Sequence, residues 1–297
     1  MHDKIIYWDR DEKIILSEKV LNKNILHWLY RSKTGIFIAN HIMPKNFISR
    51  LYGLFYDSRF SIKKIKPFIK AFDIDINEFE NCDYNSFNEF FIRKFKTNVR
   101  KFNNTPELIP AFSEGRYLAF DNIDPEQTFP VKGNFITANA LMGNMDRDFP
   151  FKGGPLIIAR LAPQDYHRFH FIDSGTIIDH YKISGALDSV NPMALSSKGN
   201  ILCSNKREVT IQKTDNFGLV AYIEIGALTV GKIVQHHSIG SCFVTRGEEK
   251  GYFTYGGSTV TLLGEKGTWH PDKEIKQYTE KNMECFIKLG TPIGFQN

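Results

Sequence analysis

The chain is expected to be an α+β protein, with N-terminal helices followed by a mainly antiparallel β core. Two changes of texture predict this. From Leu21 to about Phe72 apolar residues recur at helical spacing: Leu21, Ile25, Trp28 and Leu29 fall at i, i+4, i+7 and i+8, and Ile48, Leu51, Tyr52 and Phe55 repeat the stripe. The segment "SIKKIKPFIKAF" (61–72) follows as a further helix, with Ser61 as its cap. After residue 105 the apolar runs shorten, alternate with period two and are broken by glycine: "EVTIQKT", "LVAYIEIG", "CFVTRG", "YFTYGG" and "STVTLLG". Gly-Glu-Glu-Lys-Gly at 247–251 reads as a hairpin connection, and the "GGS" of 256–258 lies between two strands.

With 297 residues, 42% hydrophobic and 24% charged, the chain can bury a sizeable core, and disorder is not its default. Its four cysteines, Cys82, Cys203, Cys242 and Cys285, are scattered without a CxxC pair, which argues against a zinc knuckle or a disulfide framework and fits a reducing compartment. No apolar run reaches the length of a spanning helix, and the acidic start (Asp3, Asp9, Asp11, Glu12) fits neither a signal nor a transit peptide. Charge is uneven. Residues 1–70 hold fourteen Lys/Arg against six Asp/Glu, a net +8, so the total of +5 leaves the remainder at −3. Trp28, Tyr30, Phe37, Phe47, Tyr52, Phe55 and Tyr56 lie among these basic residues, a mixture suited to a bilayer surface or, on other faces, to covering the core. No nucleic-acid motif accompanies the charge.

Three clusters carry residue types fit for chemistry. "PQDYHRFHFI" places His167 and His170 three apart, with Asp165 and Arg168 beside them. In an extended segment such positions point to opposite faces, whereas in a turn or helix they can converge. HxxH without an evident third ligand is a weak metal signal, so no metal is expected. "PAFSEGRYLAF" sets Glu114 at a turn leading into a strand, where a surface glutamate is the default. "YGGSTV" offers Ser258, which needs a base within hydrogen-bond reach to become a nucleophile. It is not a G-x-S-x-G elbow, since position 260 is valine, and no phosphate loop is present.

Several ordered strings together resemble the phosphatidylserine decarboxylases: "SFNEFFIRKFKTNVR" (86–100), "FPVKGNFITANALMG" (129–143), "ARLAPQDYHRFHFIDSG" (159–175), "GALDSVNP" (185–192), "VAYIEIGALTVGKI" (220–233) and "RGEEKGYFTYGGSTVTLL" (246–263). The resemblance implies that Ser258 attacks the carbonyl of Gly257, that the resulting ester undergoes β-elimination, and that residue 258 becomes a pyruvoyl group heading a short chain, 258–297. That covalent pyruvate is the implied cofactor, forming a Schiff base with the amine of phosphatidylserine as carbon dioxide leaves. The glycines would let a side-chain oxygen reach its own upstream carbonyl, which a Cβ at 257 would obstruct. By resemblance His170 is the base that activates Ser258, His167 handles the substrate proton, and Glu114 orients the histidine.

Glu114 departs from the family's pattern, an aspartate in a P-x-D-G-like string. Its extra methylene moves the carboxylate by about 1.5 Å unless the backbone compensates. The implied division is a helical, basic, membrane-facing region, 1–75, and a catalytic α+β domain, 76–297, cut between 257 and 258. The expected partners are phosphatidylserine, an anionic membrane surface, the chain's own two fragments and, as a further candidate, a second copy; nucleic acid is not among them. The expected location is peripheral, on the cytoplasmic side of a bacterial cell membrane. Two alternatives stay open: a processing-deficient relative that binds anionic phospholipid without turnover, and a pyruvoyl decarboxylase of a soluble amino acid.

Overall fold

The computed structural model describes residues 5–20, 23–41, 46–122, 129–131, 134–143, 150–197, 200–227, 232–237 and 242–297. Leu21 lies outside them, as do the side chains of Ile25, Phe47 and Ile48. The architecture is α+β. Helices Lys23–Arg31, Lys33–His41, Asn46–Tyr56 and Ile65–Phe72 come early, and a ten-stranded sheet forms the centre. The helix expected behind Ser61 begins four residues later. Ser61 sits inside a 3-10 turn, Arg59–Lys64, where its buried hydroxyl bonds the carbonyls of Tyr56 and Ser58 and accepts from the Phe87 amide at 2.8 Å. A hydroxyl committed to tying two segments together is not available as a cap.

Across the large sheet the strands run in the order Phe243–Val244, Gly175–Ile183, Arg207–Thr214, Leu219–Ile225, Ser258–Gly264, Leu156–Leu161, Gly115–Phe120, Glu284–Ile287, Ile6–Asp9, Ile14–Ser17. All neighbours are antiparallel except Ile6–Asp9 against Glu284–Ile287, which is parallel. Leu156–Leu161 and Ser258–Gly264 are buried at every position because both faces of the sheet are covered. Phe171, Tyr222, Val260, Leu262 and Trp269 pack on one side, and Leu141, Phe151, Ile158, Ile223 and Leu263 on the other. Two-sided burial explains why these strands read as nearly continuous apolar runs.

The chain begins with strands, not helix: Ile6–Asp9 and Ile14–Ser17 form a hairpin turned at Lys13 (φ 56°), and it extends the sheet edge. The stretch 247–251 also differs from a hairpin connection. Phe243–Val244 belongs to the large sheet, whereas Glu249–Phe253 pairs with Ile233–Gln235 and Arg168–His170 in a separate three-stranded sheet. Gly247, at φ 78°, turns the chain between them, and Lys250 and Gly251 are strand residues. The segment 254–257 therefore crosses from the small sheet back to the middle of the large one. "GGS" lies between two strands, but those strands are not partners.

Candidate active site

Ser258 opens the central strand, directly opposite Leu161 on the neighbouring one, and is fully buried. The approach to it is anchored by Tyr255, whose amide donates to Asn88 Oδ1 at 2.7 Å and whose ring meets Tyr56 at 4.0 Å and Phe87 and Phe91 at 5.1 Å each. Gly256 takes φ 140°, a conformation side chains rarely adopt, so it makes the turn into the strand. At Gly257 a Cβ would come within 3.2 Å of Val190 Cγ2, a tight but side-chain contact. The conformational need for glycine is therefore greatest at 256, one residue before the position the sequence singled out.

Immediately after Leu161 the chain makes a tight turn that carries His167. The Asp165 carboxylate accepts from the Ala162 amide at 2.6 Å, and the buried Arg93 guanidinium donates to the carbonyl of Gln164 at 2.8 Å. The His167 ring stacks on Phe91, with centroids 4.0 Å apart. Its Nε2 lies 3.0 Å from the Ala162 carbonyl and its Nδ1 3.3 Å from Ser258 Oγ. A carbonyl can only accept, so Nε2 carries the proton and Nδ1 presents its lone pair to the serine hydroxyl. That is the tautomer a base requires. Burial, reinforced by the positive charge of Arg93, pushes the imidazole down to about 3, so the ring is neutral throughout the ordinary pH range.

His170 faces elsewhere. Arg168–His170 is extended, so positions 167 and 170 take opposite sides, the first of the two geometries the spacing allowed. His170 Nδ1 donates to the Gly247 carbonyl at 3.0 Å, its ring lies near Phe102, and Nε2 has no hydrogen-bond partner among the described residues. Burial lowers this imidazole to about 4. Glu114 is buried, not a surface residue, and grips Arg100 through both oxygens at 2.6 and 3.0 Å, while Oε2 accepts from the Leu289 amide at 3.2 Å. Arg100 in turn holds Glu78. Of the four residues singled out from sequence, the structure brings together Ser258 and His167; Glu114 bonds neither histidine.

Phe91, Arg93 and the Ala162 carbonyl carry much of the site and were not singled out as site residues. The two side chains lie in "FFIRKF", inside a string that bears the family resemblance, but nothing in that string shows that it packs under a histidine more than seventy positions on. A backbone carbonyl leaves no residue-type signal at all. Among the described residues no group of His, Cys, Asp and Glu could hold a metal ion.

Beside Tyr255 a groove of about 930 Å³ opens between the early helices, lined by Tyr52, Phe55, Tyr56, Lys63, Lys64 and Phe68 among others. The same helices leave large apolar side chains in solvent: Trp28, Phe37 (58% exposed), Leu54 (62%) and Phe60 (77%). Other members of the stripe face inward, since Leu29 is buried and Tyr30 packs on the core. No helix among the described residues is long and apolar enough to cross a membrane.

Comparison with known proteins gives the family. The phosphatidylserine decarboxylase family model matches residues 87–294. The phosphatidylserine decarboxylase proenzyme of Clostridium novyi is 40% identical over 289 residues, covering 97% of this chain and 98% of the relative. That of Clostridium tetani is 40% identical over 292 residues, covering 98% of each, and that of Desulfitobacterium hafniense 37% identical over 295, covering 99% of each. The chain is a decarboxylase and belongs to the phosphatidylserine decarboxylase family.

Proposed function

We propose that the chain cuts itself between Gly257 and Ser258 and then converts phosphatidylserine to phosphatidylethanolamine and carbon dioxide. The observation that carries the reading is the 3.3 Å approach of Ser258 Oγ to a neutral His167 Nδ1 whose other nitrogen is committed to the Ala162 carbonyl. His167 takes the hydroxyl proton as Oγ attacks the Gly257 carbonyl carbon. The peptide C–N bond breaks, the imidazolium returns the proton to the departing nitrogen, and an ester joins residues 257 and 258. An imidazole held near 3 does not accumulate as imidazolium, so it serves as a short relay between those two atoms.

The same imidazole is the base at hand for the Ser258 Cα proton. Its removal with cleavage of the Cβ–Oγ bond frees chain 1–257 as a carboxylate and leaves dehydroalanine at 258. The imine tautomer, hydrolysed by water, yields ammonia and the pyruvoyl group. Full burial of Ser258 favours this order, because water kept from the ester cannot hydrolyse it before elimination.

The residues present fit that group: it is made from the atoms of Ser258, in a buried setting bounded by His167 and Phe91. Once formed, its carbonyl supplies the electron sink, bound to the substrate amine, that decarboxylation requires. The exposed aromatic and aliphatic side chains of the early helices, with Lys63 and Lys64 at a groove that reaches Tyr255, support delivery of the lipid from an anionic bilayer surface. The test is Ser258→Ala: a single uncleaved chain without decarboxylase activity is expected, and a cleaved product would remove the serine from the mechanism.

A further inference from the structure

Glycine has the widest backbone freedom of any residue, and the bond proposed to be cut lies just after two of them, Gly256 and Gly257. Attack by a neighbouring side chain needs that peptide held in one conformation, so the restraint has to come from outside it. Val190 is placed to supply it: this residue is buried in the apolar cluster on one side of the large sheet, with its Cγ2 3.2 Å from where a Cβ on Gly257 would stand. On the other flank, Gly226 directly follows Ile225, whose partner across the ladder is Thr259, so it stands at the level of Ser258.

One buried amide ties these two flanks together. Asn205 is fully buried; its Oδ1 accepts from the Asp188 amide at 2.9 Å, and its Nδ2 donates to the carbonyls of Asp188 and Gly226, at 2.8 Å each. Backbone bonds hold the same loop at Ala186, whose amide donates to the Ser204 carbonyl and whose carbonyl accepts from the Lys206 amide. Asn205 extends that hold to Asp188, two residues before Val190. From this arrangement we infer that Asn205 is a positioning residue for self-cleavage: by fixing the loop 186–190 against the end of the strand Leu219–Ile225, it keeps Val190 on Gly257 and so restrains the peptide that Ser258 attacks. The inference rests on the reading of the Gly257–Ser258 bond given above and is independent of which histidine takes the hydroxyl proton. Without the amide the loop loosens, Val190 withdraws, and Gly257 samples conformations whose carbonyl faces away from Oγ.

Two readouts test this. In the uncleaved Ser258→Ala chain the Gly257 amide signal in ¹H–¹⁵N spectra reports how well the peptide is ordered, and pulse-labelled cell-free synthesis of chains that keep Ser258 reports the cleavage rate. A single sharp signal is expected in Ser258→Ala, and a broadened or split one when Asn205→Ala or Val190→Ala is added. Each of those two changes should slow cleavage about tenfold, and the double variant should be no slower than the slower single, because both act on one contact. Gln212→Ala removes another fully buried amide, one that donates to the Asp173 carbonyl and accepts from the Tyr222 hydroxyl, two strands from Ser258; it controls for general loosening and should change neither readout.

The proposal is overturned by an unchanged Gly257 signal, by cleavage at the parent rate in Asn205→Ala or Val190→Ala, by losses that multiply in the double variant, or by equal losses in Gln212→Ala. If Asn205→Ala does not fold, Asn205→Ser and Val190→Ala decide by the same criteria. Cleavage of Ser258→Ala, or a cut that intact mass places elsewhere than between 257 and 258, would instead fault the reading of the scissile bond; with the cut at that bond, the comparisons above judge Asn205 alone.

Discussion

His167 and His170 are separated by one short strand, and it turns them to different neighbours: Ser258 Oγ for the first, the Gly247 carbonyl for the second. His167→Ala is therefore expected to abolish self-cleavage, whereas His170→Ala should still mature on gels, within about an order of magnitude of the parent rate. The reverse pattern would return the base to His170. Glu114→Gln separates a structural from a catalytic carboxylate. Breaking its buried pair with Arg100 should cost about 3 kcal/mol in denaturant titrations while the cleavage rate of the folded chain changes little. A severe loss of cleavage at unchanged stability would show instead that Glu114 acts on a histidine.

At the scale of elements, the early helices leave large apolar side chains exposed, and the proposed bilayer contact rests on them. Replacing Leu54 and Phe60 with serine should weaken co-sedimentation with anionic vesicles, since each apolar side chain buried in a bilayer contributes roughly 1.5–3 kcal/mol. Raised salt should weaken binding further, because each Lys or Arg near the surface adds about 1 kcal/mol of screened attraction. Binding that ignores both changes would remove the membrane role from these helices. Period-two alternation identified Arg207–Thr214, Leu219–Ile225 and Ser258–Gly264, and helical spacing identified the helices, because each pattern is local. The N-terminal hairpin escaped notice. Its strands are four residues long, its turn is a cluster of charges that reads as a solvated start, and its partner strand lies some 280 positions away.

For the whole molecule, two buried neutral histidines couple stability to pH. His167 and His170 are lowered to about 3 and 4, so between those values and the ordinary histidine range the unfolded chain binds more protons than the folded one. Their contribution is complete above about pH 6.5 and is lost on acidification, at about 1.4 kcal/mol per pH unit for each. Thermal melting of the uncleaved Ser258→Ala chain should fall steadily from pH 6.5 to 5; a flat profile would mean that the rings are solvated. Residue types in the sequence pointed to the serine and to a histidine pair. Which histidine lies against Ser258 depends on strand direction, and the group at its other nitrogen is a backbone carbonyl, so neither contact was legible from residue identity. Ser258, His167 and the closed setting around them bear most directly on one measurement, the intact mass of the purified protein. Two fragments are expected, the shorter beginning with a pyruvoyl group in place of Ser258. A single 34.2 kDa chain, or a short fragment beginning with an unmodified serine, would contradict the self-cleavage mechanism.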